Sequence, residues 1–171
     1  MAGEAEQGGL MPAGAGGREG ESCPVFRGVT ALVLDAKGRL AIPTKYREAL
    51  AGPSGGLVVT ADPSRCLLLF PRASWEPKQA QLMAMSSFDA RIRGLQRLLV
   101  GYADDVDVDA AGRILVSPEL RRYANLDRRV VLVGQGQKLE LWDEAQWEVQ
   151  TAQAITFPAD GLPPELAGFS L

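Results

Sequence analysis

The chain has 171 residues, 46% of them hydrophobic, and a formal net charge of −3. That length suits one compact domain or two small ones, and no apolar run approaches the ~20 residues of a membrane span. The absence of histidine and the presence of only two cysteines, Cys23 and Cys66, exclude histidine-based catalysis and a Cys/His zinc site within one chain, and are unlike a disulfide framework.

No cofactor, metal or small-molecule substrate is implied, and a reducing cytoplasm is the expected compartment. The start lacks a charged segment followed by an apolar stretch, so no secretory signal is visible.

Residues 1–25, rich in Gly, Ala and Glu, show no apolar periodicity and are expected to be a disordered extension. A first unit is expected over residues 29–76. Val29 to Leu34 alternates as a strand, Asp35–Arg39 is a turn that closes a hairpin, and Leu40-Ala41-Ile42 returns. Pro43 is placed to start a short helix that Ala51-Gly52-Pro53 stops. Leu57–Thr60 and Leu67–Phe70 are two further strands around the turn-forming Ala61–Arg65.

A helical connector is expected over 77–103, its helical pattern running through residues 72–100. Ser74 is its expected N-cap, with Pro77 in the first turn and a second helical segment opening near Ser87. Ile92, Leu95 and Leu99 mark one face there, and Arg91, Arg93 and Arg97 mostly another, read as a solvated face.

A second unit follows over 104–148. Val106 and Val108 lead to a turn at Asp109, and Ile114-Leu115-Val116 returns. Ser117-Pro118 reads as N-cap and first helical residue, with Asn125 closing the helix. Strands Val130–Val133 and Leu139–Trp142 are expected to be joined by a Gly134-Gln135-Gly136 turn. That segment lacks the rest of a phosphate loop and precedes a strand rather than a helix, so it is not one. Trp147 answers Trp75, and both segments are expected to serve packing of unit on unit or subunit on subunit. Residues 149–171 are a helix end and a loose tail.

The two units are an internal repeat. Asp35-Ala36-Lys37-Gly38-Arg39 returns as Asp109-Ala110-Ala111-Gly112-Arg113, 74 residues later, and the register holds to Arg47 and Arg121. In each turn the Asp accepts from backbone N–H groups two residues on, and Gly takes the left-handed conformation that closes a type I turn with a bulge. Each Arg then emerges at the start of the returning strand, beside the Asp.

Charge separates the copies. Residues 26–50 carry five bases (Arg27, Lys37, Arg39, Lys45, Arg47) against Asp35 and Glu48, a net +3. Residues 104–129 carry six acids and five arginines, a net −1, with Asp104, Asp105, Asp107 and Asp109 all close to Arg113 in sequence. The basic set is therefore assigned to nucleic acid, with Arg39 the candidate for reading a base edge, and Arg113 is assigned mainly to assembly. Asp35, Gly38, Asp109, Gly112 and Arg113 are the motif residues. A remote enzymatic alternative pairs Asp35 with Asp109 as an aspartic-protease-like dyad, but the residues between Asp and Gly are wrong for it. A structural or protein-interaction module of the same fold, binding partners as antitoxins do, is the other class.

Phe26-Arg27-Gly28, Asp35-x-Lys37-Gly38-Arg39-Leu40-x-Ile42-Pro43, Asp109-x-x-Gly112-Arg113-Ile114-Leu115, Leu120-Arg121-x-Tyr123-Ala124, Val133-Gly134-Gln135 and Leu141-Trp142-Asp143 closely resemble the MraZ family of bacterial regulators over about residues 26–150. The resemblance implies a mainly β fold with short helices (α+β), built as two tandem swapped-hairpin AbrB/SpoVT-like units. It also implies a cytoplasmic, nucleoid-associated protein that binds double-stranded DNA and assembles into a ring. Its sites would be short direct repeats upstream of the division and cell-wall gene cluster, its own promoter included, where it usually acts as a repressor. No membrane partner is implied.

Overall fold

A computed structural model describes residues 24–53, 55–155, 164–166 and 168. The expected disordered extension lies outside these residues except for its last two positions, and so does most of the expected tail.

The first half of the chain forms β1 (Val29–Val33), β2 (Arg39–Ala41), α1 (Thr44–Ala51), β3 (Leu57–Ala61), β4 (Leu67–Pro71) and α2 (Arg72–Met83). It continues through α3 (Ala90–Leu95), which runs on as a π-helical turn over Gln96–Val100. The second half forms β5 (Asp104–Val106), β6 (Arg113–Leu115), α4 (Pro118–Tyr123), β7 (Arg129–Gln135), β8 (Lys138–Asp143) and α5 (Glu144–Ile155). The fold is α+β as expected, with about 38% of the described residues in helix and about 30% in strand.

Strand pairing interleaves the halves rather than setting them side by side. One antiparallel sheet has the order β1-β7-β8-β4-β3-β5, and β2 and β6 form a separate two-stranded ribbon. The first strand of each half pairs with the third strand of the other, β1 with β7 and β5 with β3. The fourth strands, β4 and β8, meet at the centre. The pairing is that of a pseudo-twofold dimer within one chain. The Asp35–Arg39 turn closes its hairpin through only the Leu34–Leu40 bridge before β2 leaves for β6.

The sheet is apolar on both faces, which is why every residue of β3 and β4 is buried. One face carries Leu57, Val59, Leu67, Leu69, Leu132, Leu139 and Leu141, and on it sit the inward residues of the ribbon, Leu40 and Ile114, with Tyr46 and Leu50 of α1 and Leu120 of α4. The opposite face, with Val58, Phe70, Val131 and Trp142, is covered by Trp75 of α2, Leu99, Val100 and Trp147 of α5. Trp75 packs on Phe70 at 5.3 Å between ring centres, and Trp147 on Trp142 at 6.0 Å. Both tryptophan segments thus close the chain's own sheet.

Several local expectations shift. β4 runs straight into α2, with Pro71 at the N-cap position, so Ser74 lies inside the first turn and Pro77 falls in the second. The second helical segment opens just past Ser87, with Asp89 as the N-cap of α3, accepting from Arg91 N at 2.8 Å. Leu95 is 40% exposed, so the apolar stripe of that helix is narrower than its spacing suggests. Ser117 holds the N-cap position of α4 without a side-chain cap bond, and Pro118 supplies the preset first residue. Gly134 is part of β7, where its N–H donates to Gly28 O, so the turn centres on Gly136 and Gln137.

Candidate nucleic-acid interface

Both Asp-x-x-Gly-Arg turns adopt the same geometry. Asp35 Oδ1 accepts from Lys37 N at 2.9 Å and Arg39 N at 2.8 Å, and Oδ2 accepts from Arg39 Nε at 2.6 Å. Asp109 Oδ1 accepts from Ala111 N and Arg113 N, both at 2.9 Å, and Oδ2 accepts from Arg113 Nε at 3.1 Å. The backbone closes each turn by the same two bonds, Gly38 N to Asp35 O with Asp35 N to Arg39 O, and Gly112 N to Asp109 O with Asp109 N to Arg113 O. The Asp thus serves both turn geometry and the placement of the guanidinium.

The fourth residue must be Gly for two reasons. Its φ is +86° at Gly38 and +76° at Gly112. In addition, an arginine from the other half lies over each glycine. A Cβ on Gly38 would sit 2.8 Å from Arg121 Cζ, and one on Gly112 would sit 2.2 Å from Arg47 Cζ. The 74-residue register that relates Arg47 to Arg121 therefore marks a reciprocal lock between halves. Arg47, assigned from sequence to DNA, is half-buried in this lock, with Nε donating to Ile42 O at 2.7 Å.

The ribbon carries both motif arginines outward. β2 and β6 pair with Arg39 opposite Leu115 and Ala41 opposite Arg113. Leu40 and Ile114 between them point into the core, so the alternation of a strand turns Arg39, Ala41, Arg113 and Leu115 to the other side. Leu115 is 56% exposed there. Each arginine is clamped through Nε, and among the described residues its two terminal nitrogens have no partner. An Asp-held guanidinium that offers its outer edge to solvent presents a fixed pair of N–H donors.

An ion pair with the turn Asp is common to both arginines and does not separate Arg39 from Arg113. Their side chains are alike in exposure, 38% for Arg39 and 39% for Arg113. Nor do all four acids crowd Arg113: Asp105 is bound to Arg72 Nε at 2.9 Å and Asp109 to Arg113 itself. What separates the turns is substitution at matched positions, Lys37 against Ala111 and Val33 against Asp107.

The other expected bases form a second group. Lys45 Nζ lies 4.6 Å from the Tyr46 ring centre, and the Tyr46 hydroxyl donates to Arg27 O, so Arg27 and Lys45 meet at the Gly28 end of β1. At ~3.3 Å per residue that end is on the order of 20 Å along the chain from Asp35. The arginines of α3 lie beyond the opposite face of the sheet, and Arg91 is tied to Asp89 at 2.9 Å.

Sequence reasoning missed that Arg121 and Arg128 come to the first turn. Leu34 N donates to Arg128 O at 2.8 Å, which brings the α4–β7 connection beside Asp35. The register of Arg121 with Arg47 was the available signal, but its meaning depends on the interleaving of the halves.

Asp35 and Asp109 do not form a dyad. Each carboxylate is occupied by its own turn. Both are held below the ordinary value of 3.8, chiefly by the backbone N–H of Arg39 and Arg113 respectively, with the guanidinium adding to this. A shared-proton dyad needs one carboxyl raised, the opposite shift. Among the described residues there is no cluster of potential metal ligands, and no helix is long and apolar enough to cross a membrane.

Comparison with known proteins agrees with this repeat. A family model described as "MraZ protein, putative antitoxin-like" matches residues 25–98 and again 99–162. The two matches start 74 residues apart, the spacing of the two turns. The protein named Transcriptional regulator MraZ from Thiobacillus denitrificans is 55% identical over 148 residues, which cover 86% of this chain and 100% of that protein. The proteins of the same name from Nitrosomonas europaea and Legionella pneumophila are 54% and 47% identical, each over 86% of this chain and 100% of their own length.

Proposed function

The chain belongs to the MraZ family, and we propose that it is a DNA-binding transcriptional regulator, not an enzyme, whose reading element is the β2–β6 ribbon. The observation that carries this reading is the outward ribbon face, where two Asp-clamped arginines keep their terminal nitrogens free among the described residues. The major groove of B-DNA admits a two-stranded β-ribbon, and an arginine fork matches O6 and N7 of guanine. Arg39 takes the reading role, with Lys37 on a neighbouring phosphate. Arg113 is on the same face, but its copy carries Ala111 in place of Lys37 and Asp107 in place of Val33, and it contributes less to DNA than Arg39 does. Arg27 and Lys45 add phosphate contacts farther along the duplex.

One ribbon makes few phosphate contacts, so a single chain binds weakly, near the ~10⁻⁴–10⁻⁶ M of non-specific complexes. A ring of identical subunits meeting direct repeats on one duplex raises avidity by ~10²–10⁴ without any new kind of contact. Sites upstream of the division and cell-wall gene cluster, the gene's own promoter among them, and repression there complete the proposal.

The test is a gel shift with DNA from upstream of the protein's own gene, against a scrambled competitor, using probes with one repeat and with several phased repeats. Preference for the multi-repeat probe is expected. Equal affinity for all probes contradicts the reading.

A further inference from the structure

Beside the first turn is a cleft of about 620 Å³. Leu34 and Asp35 form one wall, and Arg121 of α4 with Leu126, Asp127 and Arg128 of the α4–β7 connection form the other. Of the four arginines on that part of the chain, Arg122 is paired with Glu119 and Arg129 with Glu144. The two that line the cleft, Arg121 and Arg128, have no ion pair among the described residues. Arg121 Nε is buried without a hydrogen-bond partner, whereas its counterpart Arg47 donates the same nitrogen to Ile42 O. That nitrogen is closed off over Gly38, so the terminal nitrogens of Arg121, which have no partner among the described residues, are the ones that a ligand in the cleft would meet.

The charge in the cleft sets the chemistry. Asp35 is neutralised by Arg39. That leaves Asp127 against two arginines, a single excess positive charge. One excess positive charge matches a phosphodiester, which carries one negative charge, better than a phosphate dianion.

We infer that Arg121 and Arg128 form a phosphodiester clamp at the first turn. It holds a backbone phosphate of the duplex whose bases the ribbon reads, and it therefore rests on the DNA-binding reading. Arginine suits the role through its bidentate match to phosphate oxygens, and such contacts fix register and orientation rather than sequence. The second turn has no equivalent: Arg47 is satisfied within the protein, and the position 74 residues before Arg128 is Ser54. A pseudo-twofold ribbon alone would accept a site in either orientation. A clamp on one side makes the two orientations unequal, as directly repeated sites require.

The test uses the full chain, a duplex with several direct repeats and a salt series. Arg128 is exposed, and its one hydrogen bond among the described residues is through its backbone oxygen, so Arg128→Ala is expected to leave the melting temperature unchanged. It should flatten the plot of log affinity against log salt by about 0.9, the value for one phosphate no longer neutralised. Base discrimination should remain, and preference for direct over inverted repeats should fall. Arg121→Lys, which keeps the charge but removes the fork, should reduce the same preference.

An Arg128→Ala protein with the wild-type slope and the wild-type orientation preference overturns the clamp and leaves the DNA reading standing. If the wild type binds scrambled and repeat-bearing duplexes equally while Arg128→Ala still flattens the slope, the clamp stands and sequence-specific reading fails. Saturation of the arginine side-chain NMR signals by inorganic phosphate, with an unchanged DNA slope, overturns the clamp in favour of a free-anion site.

Discussion

The two turns of this chain are nearly superimposable in hydrogen bonding and unlike in charge. Each holds an arginine by its Asp through matching bonds, and each buries its Gly beneath an arginine from the other half. The first turn adds Lys37 and Arg128, where the second copy has Ala111 and Ser54, and the second copy carries Asp107 where the first has Val33. Duplication supplied the scaffold twice, while the charged residues around it diverged. Shared geometry explains stability in both copies, and in the proposed function the difference in charge is what assigns phosphate to the first copy.

The largest effects should be shared. Leu40 and Ile114 face each other in the ribbon and are fully buried, so Leu40→Ala and Ile114→Ala should each cost about 2–5 kcal/mol in urea unfolding. A large loss in one copy with none in the other would break the structural equivalence. Next come Gly38→Ala and Gly112→Ala, each forcing a side chain into positive φ at about 1–3 kcal/mol. Both should exceed the cost of φ alone, because Arg47 at Gly112 is anchored to Ile42 O, and at Gly38 the backbone O of Val116 stands 2.8 Å from the added Cβ beside the less anchored Arg121. A loss no larger than that cost at either turn would show that the lock there yields.

Smaller effects separate the copies. Lys37→Ala should flatten the salt dependence of DNA binding by about 0.9, because one phosphate is no longer neutralised, and should do so across all sequences. Ala111→Lys should steepen it by less than that, since the second copy carries Asp107 where the first has Val33.

The smallest effect is again shared, and it depends on pH. Asp35 and Asp109 are held below 3.8 in the folded protein, so the stability they contribute is present above that pH and is lost as pH falls through their folded values. Melting temperatures of Asp35→Asn and Asp109→Asn should lie below wild type at neutral pH and converge with it below about pH 3.8. A gap that persists in strong acid would assign the loss to geometry instead of charge.

Much of this was legible in the sequence because it is local. Asp, Gly and Arg at fixed spacing specify the turn, Pro118 and Asn125 bound α4, and alternation marks the strands. What escaped is what depends on partners distant in the chain. No periodicity tells that β2 pairs with β6 instead of extending a hairpin with β1, that Arg47 is drawn into the lock on Gly112, or that Arg128 returns to Asp35 across more than ninety positions. The net charge of a segment misled for the same reason: Asp105, counted against Arg113, is taken up by Arg72 from the first half.

The most direct measurement compares Arg39→Ala with Arg113→Ala for binding to a duplex of several phased repeats against a scrambled duplex, with oligomer size and melting temperature checked for each. Arg39→Ala should lose about 1–3 kcal/mol of discrimination per site, the worth of one bidentate base contact, with the assembly intact. Arg113→Ala should lose less. Full loss of discrimination in an intact Arg113→Ala protein, with Arg39→Ala reading its site normally, would contradict the assignment of DNA reading to the first turn.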